Sequence, residues 1–185
     1  MDREEGLDHV VLLSGGLDSA AALAFLKANG ADARAVFFDY GQPAAAQERK
    51  ASAAIARHYD APYEVLSVRH SASVATGELV GRNAFLILAA SCFVGPRRKV
   101  VVTGIHAGTS YYDCSKAFLT SIAQLMEEQS GGEARLFSPF SDWTKADVAS
   151  FAKSAQVPVA MTYSCEAGTV PPCGECASCR DRDFL

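Results

Sequence analysis

The chain has 185 residues and a formal net charge of −4, and 49% of its residues are hydrophobic. This length predicts one domain with room for a real core. No apolar run approaches the ~20 residues of a membrane span, and the acidic stretch Met1–Glu5 is unlike a signal peptide. We therefore expect a cytoplasmic protein that does not associate with membranes. The negative net charge argues against direct nucleic-acid binding.

Apolar runs alternate with helical patterns along the chain, in the order typical of an α/β protein. Strands are predicted at 9–13, 34–38, 63–68 and 100–104, and helices at 19–28, 44–58, 83–94 and 115–128. Asn29-Gly30 is a candidate C-cap, and Thr144 with Asp147 resembles a capping box that opens another helix. The expected fold is an open, mostly parallel sheet. The loop 69–81 should lie over its carboxyl edge, where ligands bind in such sheets.

The turn Ser14-Gly-Gly-Leu-Asp-Ser19 joins the first strand to the first helix. Gly15 and Gly16 let the backbone approach an anion, and the helix N-terminus adds N–H groups and a favourable dipole. Ser14 and Ser19 can donate hydroxyl hydrogen bonds. The turn is neither a Walker A loop nor GxGxxG. It predicts a phosphate cradle, and the alternative is a glycine turn with nothing bound.

Four cysteines near the C-terminus have the spacing C-x7-C-x2-C-x2-C, at Cys165, Cys173, Cys176 and Cys179. Four thiolates suit tetrahedral zinc, which would leave no open position for a catalytic water. An iron–sulfur cluster and unliganded thiols are the alternatives. We expect residues 1–160 to form the main domain and 161–185 a metal-clipped segment packed on it. Cys92 falls in an apolar helical pattern, so we expect a buried core thiol there.

The turn resembles the SGGxDS loop of the PP-loop ATP pyrophosphatase superfamily, which has an adenine nucleotide alpha hydrolase-like, Rossmann-like fold. With the cysteine knuckle it resembles the 7-cyano-7-deazaguanine synthase family. Further matches are Phe38–Gln42 (FDYGQ), Gly81–Asn83 (GRN), Tyr111–Cys114 (the family's YPDC) and Thr144–Ala146 (TKA).

This resemblance implies an ATP-dependent, carbon–nitrogen bond-forming ligase that uses Mg²⁺ and carries Zn²⁺. The carboxylate of 7-carboxy-7-deazaguanine attacks ATP, ammonia forms the amide, and a second activation gives the nitrile of queuosine biosynthesis. We also expect a homodimer. The residues implied for catalysis are Ser14, Asp18, Ser19, Arg82 and Lys145. Those implied for ATP binding are Leu13, Ser14, Gly15, Gly16, Asp18, Ser19, Phe38, Asp39, Arg82 and Lys145, and those for the substrate are Tyr40, Gln42, Asn83, His106, Tyr111 and Asp113.

Several of these residues also have a plain structural interpretation. Asp18 would repel phosphate, so it either contacts magnesium or orders the loop through backbone N–H groups. Arg82 and Lys145 suit carboxylate or phosphate, or are solvated surface charges. His106 is a pocket acid or base, or a structural histidine, and Tyr111 is a packing residue or a base-stacking one.

The acceptor half departs from the family pattern, whereas the ATP half keeps it. The loop 69–81 is short, Glu78-Leu-Val80 replaces Tyr-Val-Pro, His106 replaces Asn, and Ser115 replaces Arg. Relatives of this family also occur in bacterial antiphage gene clusters, and this departure suggests a second function in such an enzyme: transfer of the activated deazaguanine to a protein amine. A third hypothesis is a non-catalytic nucleotide-binding sensor.

Overall fold

The computed structural model of the chain describes residues 8–71, 74 and 79–184. The acidic N-terminal stretch and residues 72–73 and 75–78 of the predicted loop 69–81 lie outside the described residues. In the described part, the strands are β1 (Asp8–Leu12), β2 (Ala33–Asp39), β3 (Tyr63–Ser67), β4 (Lys99–Val102) and β5 (Ala134–Phe137). The α-helices are α1 (Leu17–Ala28), α2 (Ala45–His58), α3 (Arg82–Phe93), α4 (Lys116–Ser130), α5 (Lys145–Ser154) and α6 (Ala177–Arg180).

The five strands form one parallel sheet with the order β3-β2-β1-β4-β5. The predicted α/β fold is therefore confirmed. In chain order, β2 and β3 are added on one side of β1, and β4 and β5 are then added on its other side. The carboxyl ends of β1 and β4 thus flank the point where the strand order reverses, which is where open α/β sheets bind ligands.

Side chains alternate along each strand, so the sheet carries a separate apolar core on each face. One core contains Val11 and Val102 and is covered by α1 and α5. The other contains Val10 and Val101 and is covered by α3 and α4. Because α1 buries four alanines, at positions 20–22 and 24, its backbone lies close to the elements around it.

The ends of the helices follow the predicted signals closely. Asn29 is the C-cap of α1, and Gly30 has a φ of +69°. Thr144 and Asp147 form the predicted capping box, in which each side chain accepts a backbone hydrogen bond from the other residue. This capping box fixes the first turn of α5 and, with it, the position of Lys145.

Two features differ from the sequence-based expectation. The prediction for Cys92 was wrong: it is exposed, because α3 buries only Ile87 and Ala90 against the sheet and its outer face meets no other element in the described part of the chain. β5 was not predicted, and it is a four-residue edge strand in which only Ala134 is buried. No helix in the described part of the chain is both long and apolar enough to span a membrane.

Candidate active site and metal centre

The loop between β1 and α1 turns sharply beneath the N-terminus of α1. Gly15 has a φ of +90°, and a Cβ there would lie 2.7 Å from the carbonyl oxygen of Glu48, so only glycine fits. Gly16 is the N-cap of α1, and among the described side chains none caps this terminus. The first-turn N–H groups and the helix dipole therefore suit an anion at this point.

Ser14 and Ser19 face each other across this loop, with 3.1 Å between their hydroxyl oxygens. The Gly16 N–H donates to the Ser14 hydroxyl at 3.3 Å, and the Ser19 hydroxyl donates to the Gly16 carbonyl at 3.0 Å. These bonds hold the loop in its turn. The preceding Leu13 is fully buried, and its N–H donates to Val36 O at 2.9 Å, which anchors the loop to β2.

Lys145 and Asp18, separated by 127 positions in the chain, form an ion pair beside this loop. The Lys145 ammonium lies 2.7 Å from both carboxylate oxygens of Asp18. The Nε2 atom of His106 lies 3.8 Å from Asp18 Oδ2. The first turns of α1 and α5 and the segment after β4 therefore meet at one point, as the resemblance implied for Asp18 and Lys145.

A second group of predicted residues meets at the N-terminus of α3. The Asn83 N–H donates to Asp113 Oδ2 at 3.3 Å, and the Asn83 amide donates to the Asp113 carbonyl at 3.1 Å. Asp113 lies in a short 3₁₀ turn, Tyr112–Cys114, that follows the half-exposed Tyr111. Burial raises the pKa of the nearby Cys114 thiol, so this thiol is neutral at neutral pH.

The turn after β2 is built around Gln42, which is buried. Its side-chain oxygen accepts from Tyr40 N at 3.0 Å, and its amide donates to Phe38 O at 3.0 Å and to Glu48 Oε2 at 2.9 Å. The side chain of Gln42 thus shapes the backbone of 38–42. In the same turn the Asp39 carboxylate accepts from Gly41 N at 3.2 Å.

Glu48, in the first turn of α2, is a site residue that the sequence reasoning missed. Burial raises the pKa of its carboxyl group, while the amide of Gln42 and the charge of Arg82 lower it by less. Burial likewise raises the pKa of Tyr40, and Arg82 opposes this shift. Tyr40, Glu48 and Arg82 therefore share one partly buried environment between β2, α2 and α3. An acidic residue six positions after Gln42 was the only signal in the sequence.

The four clustered cysteines converge as the spacing predicted. Their sulfur atoms all lie within 4.8 Å of one another, and Cys165 and Cys179 are buried. A single zinc ion ~2.3 Å from four tetrahedral thiolates sets the sulfurs about 3.8 Å apart, so this donor set fits one metal ion. Backbone N–H groups of Glu175 and Cys176 each donate to Cys173 Sγ at 3.4 Å, which stabilises negative charge on the sulfur.

The two buried thiols differ in acidity. Burial raises the pKa of Cys165, but hydrogen bonds, chiefly from the Cys173 N–H, outweigh it and bring the value to about 5. Burial raises the pKa of Cys179 to about 12. Cys165 is therefore the more acidic of the two thiols, and a metal bound by all four sulfurs would require both to be deprotonated.

The cysteine segment touches both ligand-binding turns. The Tyr163 N–H donates to the Gly15 carbonyl at 2.9 Å. Gly168 has a φ of +71° and lies so close to the backbone of Pro43 that a Cβ would clash with it. The metal-binding segment therefore braces the loop after β1 and the turn after β2.

Comparisons with known proteins identify the family of the chain. The family model described as "Queuosine biosynthesis protein QueC" matches residues 8–81 and 70–184. A 7-cyano-7-deazaguanine synthase of Sulfurihydrogenibium is 32% identical, and the alignment covers 94% of this chain and 91% of the relative. A synthase of the same name from Aquifex aeolicus is 31% identical, with 99% and 97% covered.

Solved structures show the same fold at low identity. The tRNA thiolase NcsA from Methanococcus maripaludis, solved with a 4Fe-4S cluster, has a TM-score of 0.56 and 12% identity, with 98% of this chain and 65% of that chain covered. A predicted subunit of a tRNA methyltransferase from Methanocaldococcus jannaschii has a TM-score of 0.51 and 13% identity, with 80% and 74% covered. By its family match and its relatives, the chain belongs to the QueC family of the PP-loop superfamily.

Proposed function

We propose that the chain activates the carboxylate of 7-carboxy-7-deazaguanine with ATP and passes the acyl group to a nitrogen nucleophile. Given the family to which the chain belongs, one structural observation supports this proposal most directly. An anion-binding loop with a bound lysine, at Ser14–Ser19 and Lys145, shares one sheet edge with the polar group Arg82, Asn83 and Asp113.

The first half of the site suits the phosphates of ATP. The N–H groups of the α1 N-terminus and the hydroxyls of Ser14 and Ser19 would cradle the leaving pyrophosphate. Lys145 would then move its charge from Asp18 to the phosphates. Magnesium would neutralise further charge, and Asp18 is one of its candidate ligands. Phe38 and Asp39, at the end of β2, would border the adenine.

The second half suits a planar, hydrogen-bonding acid. The Arg82 guanidinium is suited to binding a carboxylate through two parallel hydrogen bonds. Asp113 can accept from the N–H edge of a guanine-like ring, and Asn83 fixes the turn that carries it. Tyr40, Gln42, His106 and Tyr111 would complete the walls around the substrate.

The chemistry needs only positioning and charge neutralisation. A carboxylate oxygen attacks the α-phosphorus, pyrophosphate leaves, and an acyl-adenylate forms. Ammonia attacks the acyl carbon, AMP leaves with the carboxylate oxygen, and the amide forms with loss of a proton. In a second cycle the amide oxygen attacks the α-phosphorus of another ATP and displaces pyrophosphate, and loss of AMP and both protons of the amide nitrogen gives the nitrile.

We further propose that residues 161–185 form a structural zinc segment on a domain made by 1–160. The sulfur spacing supports one ion over a four-iron cluster, because the irons and sulfides of a cluster hold its thiolates further apart. All four ligand positions are filled by cysteine, so the zinc would stabilise the two ligand-binding turns and take no part in the reaction.

The test is incubation with ATP, Mg²⁺ and 7-carboxy-7-deazaguanine, with and without ammonia, followed by mass spectrometry of small molecules and of the protein. We expect pyrophosphate, AMP and the amide or nitrile. ATP left intact under all conditions would contradict the proposal and would favour a nucleotide sensor.

A second candidate function is transfer of the activated acyl group to a protein amine. Exposed apolar side chains lie near Arg82, at Leu79, Val80, Tyr111 and Tyr112. The family model matches in two pieces that meet at 70–81, and the alignments to relatives are longer than the part of this chain that they cover. A shortened segment 69–81 beside an exposed apolar surface favours a polypeptide acceptor. A mass gain on a protein, with no free amide, would identify this function.

We infer that the expected homodimer forms through the outer face of α3. Apart from Arg82 at its start, α3 has no charged residue, and Phe85 and Phe93 are 43% and 75% exposed. Each lies four positions from Ala89. In an antiparallel pair centred on Ala89, Phe85 of one copy would therefore meet Phe93 of the other. Phe93→Glu should give a monomer in light scattering, whereas the matched surface variant Leu125→Glu on α4 should stay dimeric.

A further inference from the structure

Asp18 has two nitrogen groups beside its carboxylate, and only one of them is hydrogen-bonded to it. The Lys145 ammonium lies 2.7 Å from both oxygens. His106 Nε2 lies 3.8 Å from Oδ2, which is beyond hydrogen-bond length. The His106 side chain is only 8% exposed, so the imidazole lies almost wholly within the protein. A shift of about 1 Å would bring the two groups into a hydrogen bond.

The other ring nitrogen of His106 fixes where its proton lies. The Gly108 N–H donates to His106 Nδ1 at 3.0 Å. A backbone N–H can only donate, so Nδ1 must present a lone pair, and the neutral ring carries its proton on Nε2. Burial lowers the pKa of His106, with smaller opposing effects from Asp18 and Asp181 and a further lowering by Lys145, which favours this neutral form. The Nε2–H therefore faces Asp18 as a ready donor.

The segment that carries His106 is locked between the two helices that it bridges. A Cβ at Gly104 would lie 2.6 Å from the backbone carbonyl of Asp18, and one at Gly108 would lie 2.9 Å from His106 Nδ1. The Ala107 N–H donates to Trp143 O at 2.9 Å, next to the capping box of α5. The backbone of 104–108 thus packs against α1 and α5 at once and holds the imidazole in place.

Lys145 cannot keep both bonds to Asp18 while it neutralises the phosphates of ATP. The Asp18 carboxylate would then lose its partner just as more negative charge arrives beside it. We propose that His106 is a positioning residue for Asp18, whose Nε2–H takes over the carboxylate when Lys145 turns to ATP. The inference rests on the proposed adenylation, and it gives His106 a role in the ATP half of the site in addition to its place beside the substrate.

The test compares His106→Gln, which keeps an amide donor of similar reach, with His106→Leu, which fills a similar volume without a donor. His106→Met replaces the leucine variant if that protein does not fold. We expect His106→Leu to lower kcat for pyrophosphate release by about tenfold or more, with an unchanged melting temperature. His106→Gln should recover most of that loss.

A double-mutant cycle with Asp18→Asn tests whether His106 acts through Asp18. The readout is the affinity for magnesium and an ATP analogue with a methylene group between the α- and β-phosphorus, which needs no acceptor substrate. We expect His106→Leu to weaken binding in the wild-type background and to change it little in the Asp18→Asn background. Equal effects in both backgrounds, or no rescue by His106→Gln, would overturn the inference. Because the cycle uses binding alone, it stays decisive even if pyrophosphate release fails and the proposed function is wrong.

Discussion

Replacing Lys145 with methionine should abolish most of the activity while leaving the fold almost unchanged. The Lys145–Asp18 pair has short contacts of 2.7 Å, but the two side chains are 28% and 31% exposed. Solvent therefore screens the pair, and a partly exposed ion pair contributes about 1 kcal/mol or less to stability. For a protein of this size, 1 kcal/mol shifts the melting temperature by about 2–4 °C. Removing a cation aimed at the charge of the transition state costs about 10²–10³ in kcat.

The assay measures pyrophosphate release in the presence of ATP, Mg²⁺ and the carboxylate substrate, beside thermal melting of the same samples. Lys153→Met is the matched control, because Lys153 is an exposed lysine in the last turn of the same helix. It should behave as the wild type in both measurements. A Lys145→Met protein within about threefold of wild-type turnover would refute the phosphate role, since the expected loss is about 10²–10³. A large drop in its melting temperature would refute the conclusion that the partly exposed Lys145–Asp18 pair contributes little to stability.

Four further substitutions test the phosphate cradle, the metal centre, the capping box of α5 and the buried Glu48. Ser14→Ala removes a hydroxyl from the phosphate cradle and should abolish pyrophosphate release at an unchanged melting temperature; wild-type turnover would exclude this role. Cys173→Ser should reduce the zinc content from one per chain and lower stability, because metal binding is coupled to folding of the segment; iron with acid-labile sulfide in the wild type would contradict it. Thr144→Ala breaks the capping box and should cost about 1 kcal/mol in the free energy of unfolding and raise KM for ATP, since Lys145 follows it. Burial raises the pKa of Glu48, so its ionisation costs stability as pH rises through that pKa; Glu48→Gln should match the wild type in acid and be relatively more stable near neutral pH. A constant difference across this range would refute the assigned cause.

Elements with strong local signals could be predicted from the sequence. β1 and β2 are nearly continuous apolar runs, and α1 carries its own C-capping residue, so the ends of these elements were predicted to within about two residues. The start of α5 was predicted from its capping box. β5 was missed because its four residues lie at the sheet edge and bury only Ala134, which leaves no periodic pattern. Cys92 was misjudged because an apolar residue in a helical pattern suggests a core position even where that face of the helix meets no other element among the described residues.

The residues of the candidate site likewise differ in whether the sequence alone could predict them. Ser14, Asp18 and Lys145 could be named because each lies in a compact motif, and the structure brings them together across 127 positions. Glu48 could not be named, because its role depends on burial and on the distance to Arg82, which no local pattern encodes. The identity of the acyl acceptor likewise depends on the shape of the surface around Arg82. Residues from three separate segments of the chain form this surface.

The most direct measurement follows an isotopic label from the substrate carboxylate into the nucleotide product. The substrate is prepared with ¹⁸O in both carboxylate oxygens and incubated with the protein, ATP, Mg²⁺ and an amine. Attack of the carboxylate on the α-phosphorus predicts AMP that carries one labelled oxygen for each amide formed, whether the amine is ammonia or belongs to a protein. Label found in orthophosphate together with ADP, or unlabelled AMP, would contradict adenylation of the carboxylate.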